Sequence, residues 1–213
     1  MFIQMLIRAF NILLLWGLFY GTFLFIRTKS RYNQQVEGTK KSFWQRESDA
    51  NSIRRADISN LDYIKVPLDT FSLKDVSTVG LSEEVNALKA LSEKKILNLS
   101  MYSNTDLKLM YGPANLEELS ICDDNYANLI KLLNKMGTAL YDANRGDLAL
   151  SFLEYAVNID SDITATFVTL GNIYKEKADV HKLDALISKA ESLSSITSKA
   201  IVTKLNNIKS QEK

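Results

Sequence analysis

Met136-Gly137 and Leu140 followed by Ala149, Leu153 and Ala156 return as Leu170-Gly171 and Tyr174 followed by Leu183, Ile187 and Ala190, a self-match at a spacing of 34 residues. A period of that length fits one helix, a tight turn and a second helix, a unit that cannot bury its apolar face without a neighbour. The chain is therefore constrained to stacked helix hairpins. With only two prolines and eight glycines in 213 residues, it also has little punctuation for many strands and turns.

The hairpins can be laid out from turn and cap signals. Leu129, Leu132, Leu133, Met136, Leu140 and Tyr141 are at helical spacing, with Asp124 as the expected N-cap and Asn144-Arg145-Gly146 as the expected stop. Leu148, Ala149, Phe152, Leu153, Ala156 and Val157 form the partner helix, so the first hairpin is expected over 130–160 and the second over 164–193. Ile196, Ala200, Ile201, Leu205 and Ile208 predict one further helix over 196–209 that caps the stack. Upstream, Ser82 is the expected N-cap of a helix carrying Val85, Leu88, Leu91 and Ile96, and Ser103-Asn104-Thr105-Asp106 has the form of a capping box before Leu107. Gly112-Pro113 interrupts that run.

The first 26 residues differ in kind. From Ala9 to Ile26 eighteen residues carry no charge, and at the helical rise they cover about 27 Å, close to the hydrocarbon thickness of a bilayer. A transmembrane anchor is expected over 1–26. The rival reading, a cleaved signal peptide, lacks its small residues at alternate positions at the end of the run, where Phe19, Tyr20 and Phe23 crowd the plausible cleavage points.

Residues 27–60 carry eight Lys/Arg against four Asp/Glu and form a basic juxtamembrane stalk, while residues 61–213 carry 17 against 21. Basic residues stay on the cytoplasmic side, so the C-terminal domain is expected there. The mildly acidic body argues against nucleic acid as a partner. Residues 61–81, with Ile64, Val66 and Leu68 alternating around Pro67, are expected as an extended arm, and 82–213 as the helical domain.

At the hairpin residues the chain resembles the tetratricopeptide repeat. Leu133, Met136, Gly137, Leu140, Ala149, Leu153 and Ala156 in the first stretch, and Phe167, Leu170, Gly171, Tyr174, Leu183, Ile187 and Ala190 in the second, stand at its packing positions. The pattern is degenerate. Its tryptophan is absent, Leu183 replaces a small residue, and Ser161 and Ser195 stand in place of proline. In layout the chain also resembles small single-pass membrane-anchored repeat proteins of clostridial-type bacteria. The resemblance implies an all-α fold, a short α-solenoid of antiparallel hairpins behind the anchor, and a groove for a protein or peptide lined by Lys131, Asn134, Thr138 and Tyr141, then Asn172 and Lys175. The family's clamp for a terminal carboxylate is missing, since Asn134, Thr138 and Thr169 occupy its positions. Whether the 58–71 arm fills the groove is left open.

Catalytic carriers are sparse. Cys122 and His181 are the only residues of their kinds, and phosphate loops, paired-histidine helices and calcium loops are absent. Asp123-Asp124 and Asp160-x-Asp162 read as carboxylates at helix starts. No enzyme, cofactor or metal site is expected. The sequence points to a membrane-tethered adaptor or scaffold, with a structural subunit of a larger membrane assembly as the alternative.

Overall fold

The computed structural model describes residue 40 and residues 42–210, and every α-helix or 3-10 turn below lies within them. The expected anchor over 1–26, and residues 27–39 and 41 of the expected stalk, lie outside the described residues. Residues 42–51 form α1. There follow α2 (Leu73–Thr78), α3 (Ser82–Ser92), α4 (Asn104–Tyr111), α5 (Leu116–Asp142), α6 (Gly146–Asn158), α7 (Thr164–Glu176), α8 (Val180–Ser192) and α9 (Ser198–Ser210). Among the described residues there is no strand, and the protein is all-α.

Helix α4 starts where its cap chemistry says it should. Ser103 Oγ accepts the Asp106 N–H, and the Asp106 carboxylate accepts the Ser103 N–H, which satisfies two donors that the first turn leaves unpaired. Gly112 ends it with φ 84°, and a side chain there would place its Cβ 2.6 Å from the Arg54 carbonyl oxygen. Pro113 then opens a 3-10 turn over Pro113–Asn115 that runs directly into α5.

Asp124 is therefore not an N-cap. It lies in the middle of α5, a helix of 27 residues. Leu119, Cys122, Tyr126, Leu129, Leu133, Met136 and Leu140 keep an uninterrupted three-and-four spacing along one side, and burial of that whole stripe outweighs the local start signal of the two aspartates.

The N-terminal half of α5 serves a small core and the C-terminal half a large one. The small core gathers Ile58, Leu97, Leu99, Leu107, Leu119 and Cys122, with Leu61, Tyr63, Tyr111 and Leu116 against it. Its polar pin is Asn115, fully buried, whose Nδ2 donates to the Ala56 and Tyr111 carbonyls at 2.8 and 2.7 Å while its Oδ1 accepts from Arg55 Nε at 2.9 Å. The division expected at residue 60 thus passes through a packed unit. Helix α1 joins the same unit through Arg46 to Asp106 at 2.5 Å and through Glu47, which accepts from Thr105 and Lys108.

The segment expected as an arm is extended before it coils. The Ile64 N–H donates to the Ile96 carbonyl, after which Leu68–Thr70 makes a 3-10 turn and α2 follows. Phe71 stacks on Phe152 of α6 with centroids 4.5 Å apart, and Tyr155 of α6 donates from its hydroxyl to the Lys65 carbonyl.

In the large core, α5 packs on α6, α6 on α7, α7 on α8, and α9 on both α7 and α8. The short turns between α5 and α6 and between α7 and α8 make each pair an antiparallel hairpin. Both turns close alike. Asn144 and Ala178 take left-handed φ values of 57° and 56°. The Ala143, Asn144 and Arg145 N–H groups donate to the Ala139, Tyr141 and Leu140 carbonyls, and Lys177, Ala178 and Asp179 donate to Ile173, Lys175 and Tyr174.

Candidate functional site

Lys131, Asn134, Thr138 and Tyr141 are three or four residues apart on α5, so they share one face of the helix. Asn172 and Lys175 continue the surface on α7. Two hydrogen bonds hold the helices side by side there. Asn134 Oδ1 accepts from Thr166 Oγ1 at 3.1 Å, and the Tyr141 hydroxyl donates to Glu176 Oε1 at 2.5 Å. Thr138 turns its hydroxyl back to the Asn134 carbonyl at 2.7 Å.

Bonding to Glu176, with partial burial, pushes the Tyr141 hydroxyl up to about 12, so at neutral pH it remains a donor. Of the six expected groove residues, Asn134, Thr138 and Tyr141 are thus engaged within the body. Lys131 is exposed, Asn172 and Lys175 are half-exposed, and none of the three makes a side-chain hydrogen bond or ion pair among the described residues.

The arm does not supply the partner for this face through the contacts above, because Phe71 and Lys65 meet Phe152 and Tyr155 on α6. The row is instead flanked by α3, whose Glu84 pairs with Lys135 at 2.7 Å.

A separate concavity of about 490 Å³ opens at the N-terminal half of α5, where the 98–101 segment and the 159–163 and 192–195 turns converge. Asp123, Asp160, Asp162, Tyr126, Met101 and Ser195 line it. Its carboxylates are all occupied. Asp123 Oδ1 accepts the Leu99 N–H at 2.9 Å, Asp160 pairs with Lys189 at 2.5 Å, and Asp162 Oδ2 accepts from Ser195 Oγ at 2.7 Å. The Tyr126 hydroxyl donates to the Ile159 carbonyl, and burial pushes its ionisation up.

Sequence reasoning missed this convergence because it placed both aspartate pairs at helix starts. Asp123 is mid-helix. Asp160 takes a left-handed φ of 65° and ends α6, its N–H donating to the Val157 carbonyl. The available signal was that aspartate tolerates the left-handed region at a helix end.

Among the described residues, nucleophilic and metal chemistry finds no assembled group. The Cys122 thiol is buried in the small core, and burial raises its pKa, which disfavours the reactive thiolate. His181 is exposed on α8. Among the described residues no three of His, Cys, Asp and Glu gather where they would hold a metal ion.

Compared with protein-family models, with curated proteins and with solved structures, the chain matches none. No helix among the described residues is long and apolar enough to cross a membrane.

Proposed function

We propose that this protein is a membrane-tethered, non-enzymatic adaptor whose body is a short stack of degenerate tetratricopeptide-like hairpins, held at the cytoplasmic face by the 1–26 segment. The observation that carries the reading is the common closure of two hairpins 34 residues apart, down to the same hydrogen bonds and the same left-handed position. Helices stacked in this way expose a lateral face along their first helices, and here that face offers Lys131, Asn172 and Lys175 beside the Tyr141 to Glu176 bond. Cations, amides and a phenol suit an extended peptide with acidic side chains.

The test is capture of partners from membranes with the full-length chain, wild type against a Lys131→Glu, Asn172→Ala, Lys175→Glu variant. These side chains lie outside the core, so the fold should survive. Loss of the partner supports the face; an unchanged partner set removes it from consideration.

One observation favours the alternative, a structural subunit of a larger membrane assembly. Asn134 and Tyr141 spend their hydrogen bonds inside the body, which leaves a peptide fewer groups to read. This reading predicts that the same variant keeps its partners and that the chain migrates as part of one large complex in mild detergent.

A further inference from the structure

Helix α1 is seated on the body by one side and exposes aromatic rings at its start. Phe43 and Trp44 are 54% and 66% exposed and pack on each other edge to face, with centroids 5.5 Å apart. Rings of this size in water on a helix otherwise anchored by Arg46, Glu47 and the buried Ala50 call for an occupant.

The register of α1 on α4 shows which end of the body carries them. Arg46 meets Asp106, Glu47 meets Thr105 and Lys108, and ten residues after Arg46 the Ala56 N–H meets the Tyr111 carbonyl. The two segments run parallel, so their N-terminal ends lie at the same end of the body. Just before α4 stand Met101 and Tyr102, 67% and 47% exposed. Four large exposed side chains therefore belong to one end.

That end leads back to the uncharged segment. Ile26 closes the apolar run and Lys40 follows fourteen residues later, a span that reaches at most roughly 50 Å even when fully extended. Arg27, Lys29, Arg31 and Lys40 lie in or at the end of that span, and Lys41 follows it. Aromatic rings beside a basic run next to an apolar span have the chemistry of the headgroup layer, where rings sit at the water boundary and cations meet lipid phosphates.

We infer that α1 is a membrane-surface foot: Phe43 and Trp44, with Tyr102 at the same end of the body, insert into the headgroup region of the bilayer and fix the orientation of the helical body on it. The inference rests on the reading of 1–26 as an anchor. Its occupant is lipid rather than a protein partner, because the tether holds this end of the body near the surface. With the foot down, the α5 and α7 face is held in one orientation relative to the bilayer.

The chain contains two tryptophans, Trp16 and Trp44, which makes the test direct. The full-length protein is reconstituted into phosphatidylcholine vesicles with bromine placed either high or deep on the acyl chains. Trp44 is read in a Trp16→Phe variant and Trp16 in a Trp44→Phe variant. The foot predicts that Trp44 emission shifts to the blue and is lost most with the shallow bromines, while Trp16 is quenched by the deep ones. Water-like, unquenched Trp44 emission beside a quenched Trp16 overturns the foot and leaves the anchor standing. Blue-shifted but unquenched Trp44 also overturns it, in favour of a protein contact. Unquenched Trp16 removes the anchor, and the foot with it.

Discussion

The two hairpins end their first helices with the same turn and then pack differently on the glycine that precedes it. A methyl group on Gly137 would come within 2.5 Å of Leu153 Cγ, on the partner helix of its own hairpin. A methyl on Gly171 would instead meet Leu205 Cδ2 of α9 at 2.7 Å, with Leu183 farther off at 3.6 Å. The cause is one substitution in the echo. Ala149 lets α6 settle onto α5, whereas Leu183, at the equivalent place on α8, fills that space itself, and the closest approach passes to α9. Equal turns therefore do not enforce equal packing. The last helix completes the second hairpin in a way the first does not need.

The largest break in this comparison is expected from Leu183→Ala. Making the second hairpin resemble the first removes a side chain that is 3% exposed without bringing α8 closer, because α9 already holds α7. A cavity remains, and the cost should be about 2–5 kcal/mol by chemical denaturation. A cost below about 1 kcal/mol would show that α8 collapses onto α7 and that the two hairpins are interchangeable.

Next come the glycines. Gly137→Ala forces Leu153 to move at Cγ, near the root of its side chain, and overpacking of about 1–3 kcal/mol should exceed the helix-propensity gain of about 1 kcal/mol. Gly171→Ala presses on the tip of Leu205, which can rotate away, so the two terms should nearly cancel. The pair of melting curves sharpens the comparison. Equal losses at both positions would contradict the different neighbours.

A smaller effect tests the feature the hairpins share. Ala178 and Asn144 both sit at left-handed φ, but asparagine tolerates that region and alanine is strained in it. Ala178→Gly should stabilise by about 0.5–1 kcal/mol after the added freedom of the unfolded chain is counted, while Asn144→Gly should be neutral or slightly destabilising. A gain at Asn144 equal to that at Ala178 would mean that asparagine carries the strain as well.

These contrasts mark where the sequence can be read and where it cannot. The all-helical class is legible because apolar residues recur at three and four with almost no proline or glycine between them. The Ser103 box and the turn at Asn144 are local chemistry, complete within four and seven residues. The length of α5 is not local. Gly112-Pro113 and Asp123-Asp124 both look like boundaries, and only burial of one stripe against two cores carries the helix past the second. Asn115 reads as an ordinary turn residue, yet it is buried with its side chain bonded to Arg55 and Ala56, about sixty positions away, as well as to the nearby Tyr111. At the candidate face, spacing puts Lys131, Asn134, Thr138 and Tyr141 on one side of a helix. It does not reveal that Thr166 and Glu176 bind two of them first. The acidic concavity needs three turns brought together from distant segments, for which no periodicity exists.

The smallest expected effect concerns how the hairpins are joined. Tyr141 near the end of α5 donates to Glu176 at the end of α7, one first helix to the next, at a half-exposed site. Tyr141→Phe should cost about 0.5–1 kcal/mol, the net worth of a single hydrogen bond. Its pH dependence separates this bond from general packing. The folded phenol is held at about 12 by Glu176 and burial, above the ordinary value near 10. A raised pKa means that the neutral form is favoured by folding, so the contribution is fully present below about 10 and is lost as pH rises through about 12. The stability gap between wild type and Y141F should accordingly be flat up to pH ~10 and close above it. If the gap persists unchanged to the top of that range, the hydroxyl is not what ties the first hairpin to the second, and shared apolar surface alone aligns them.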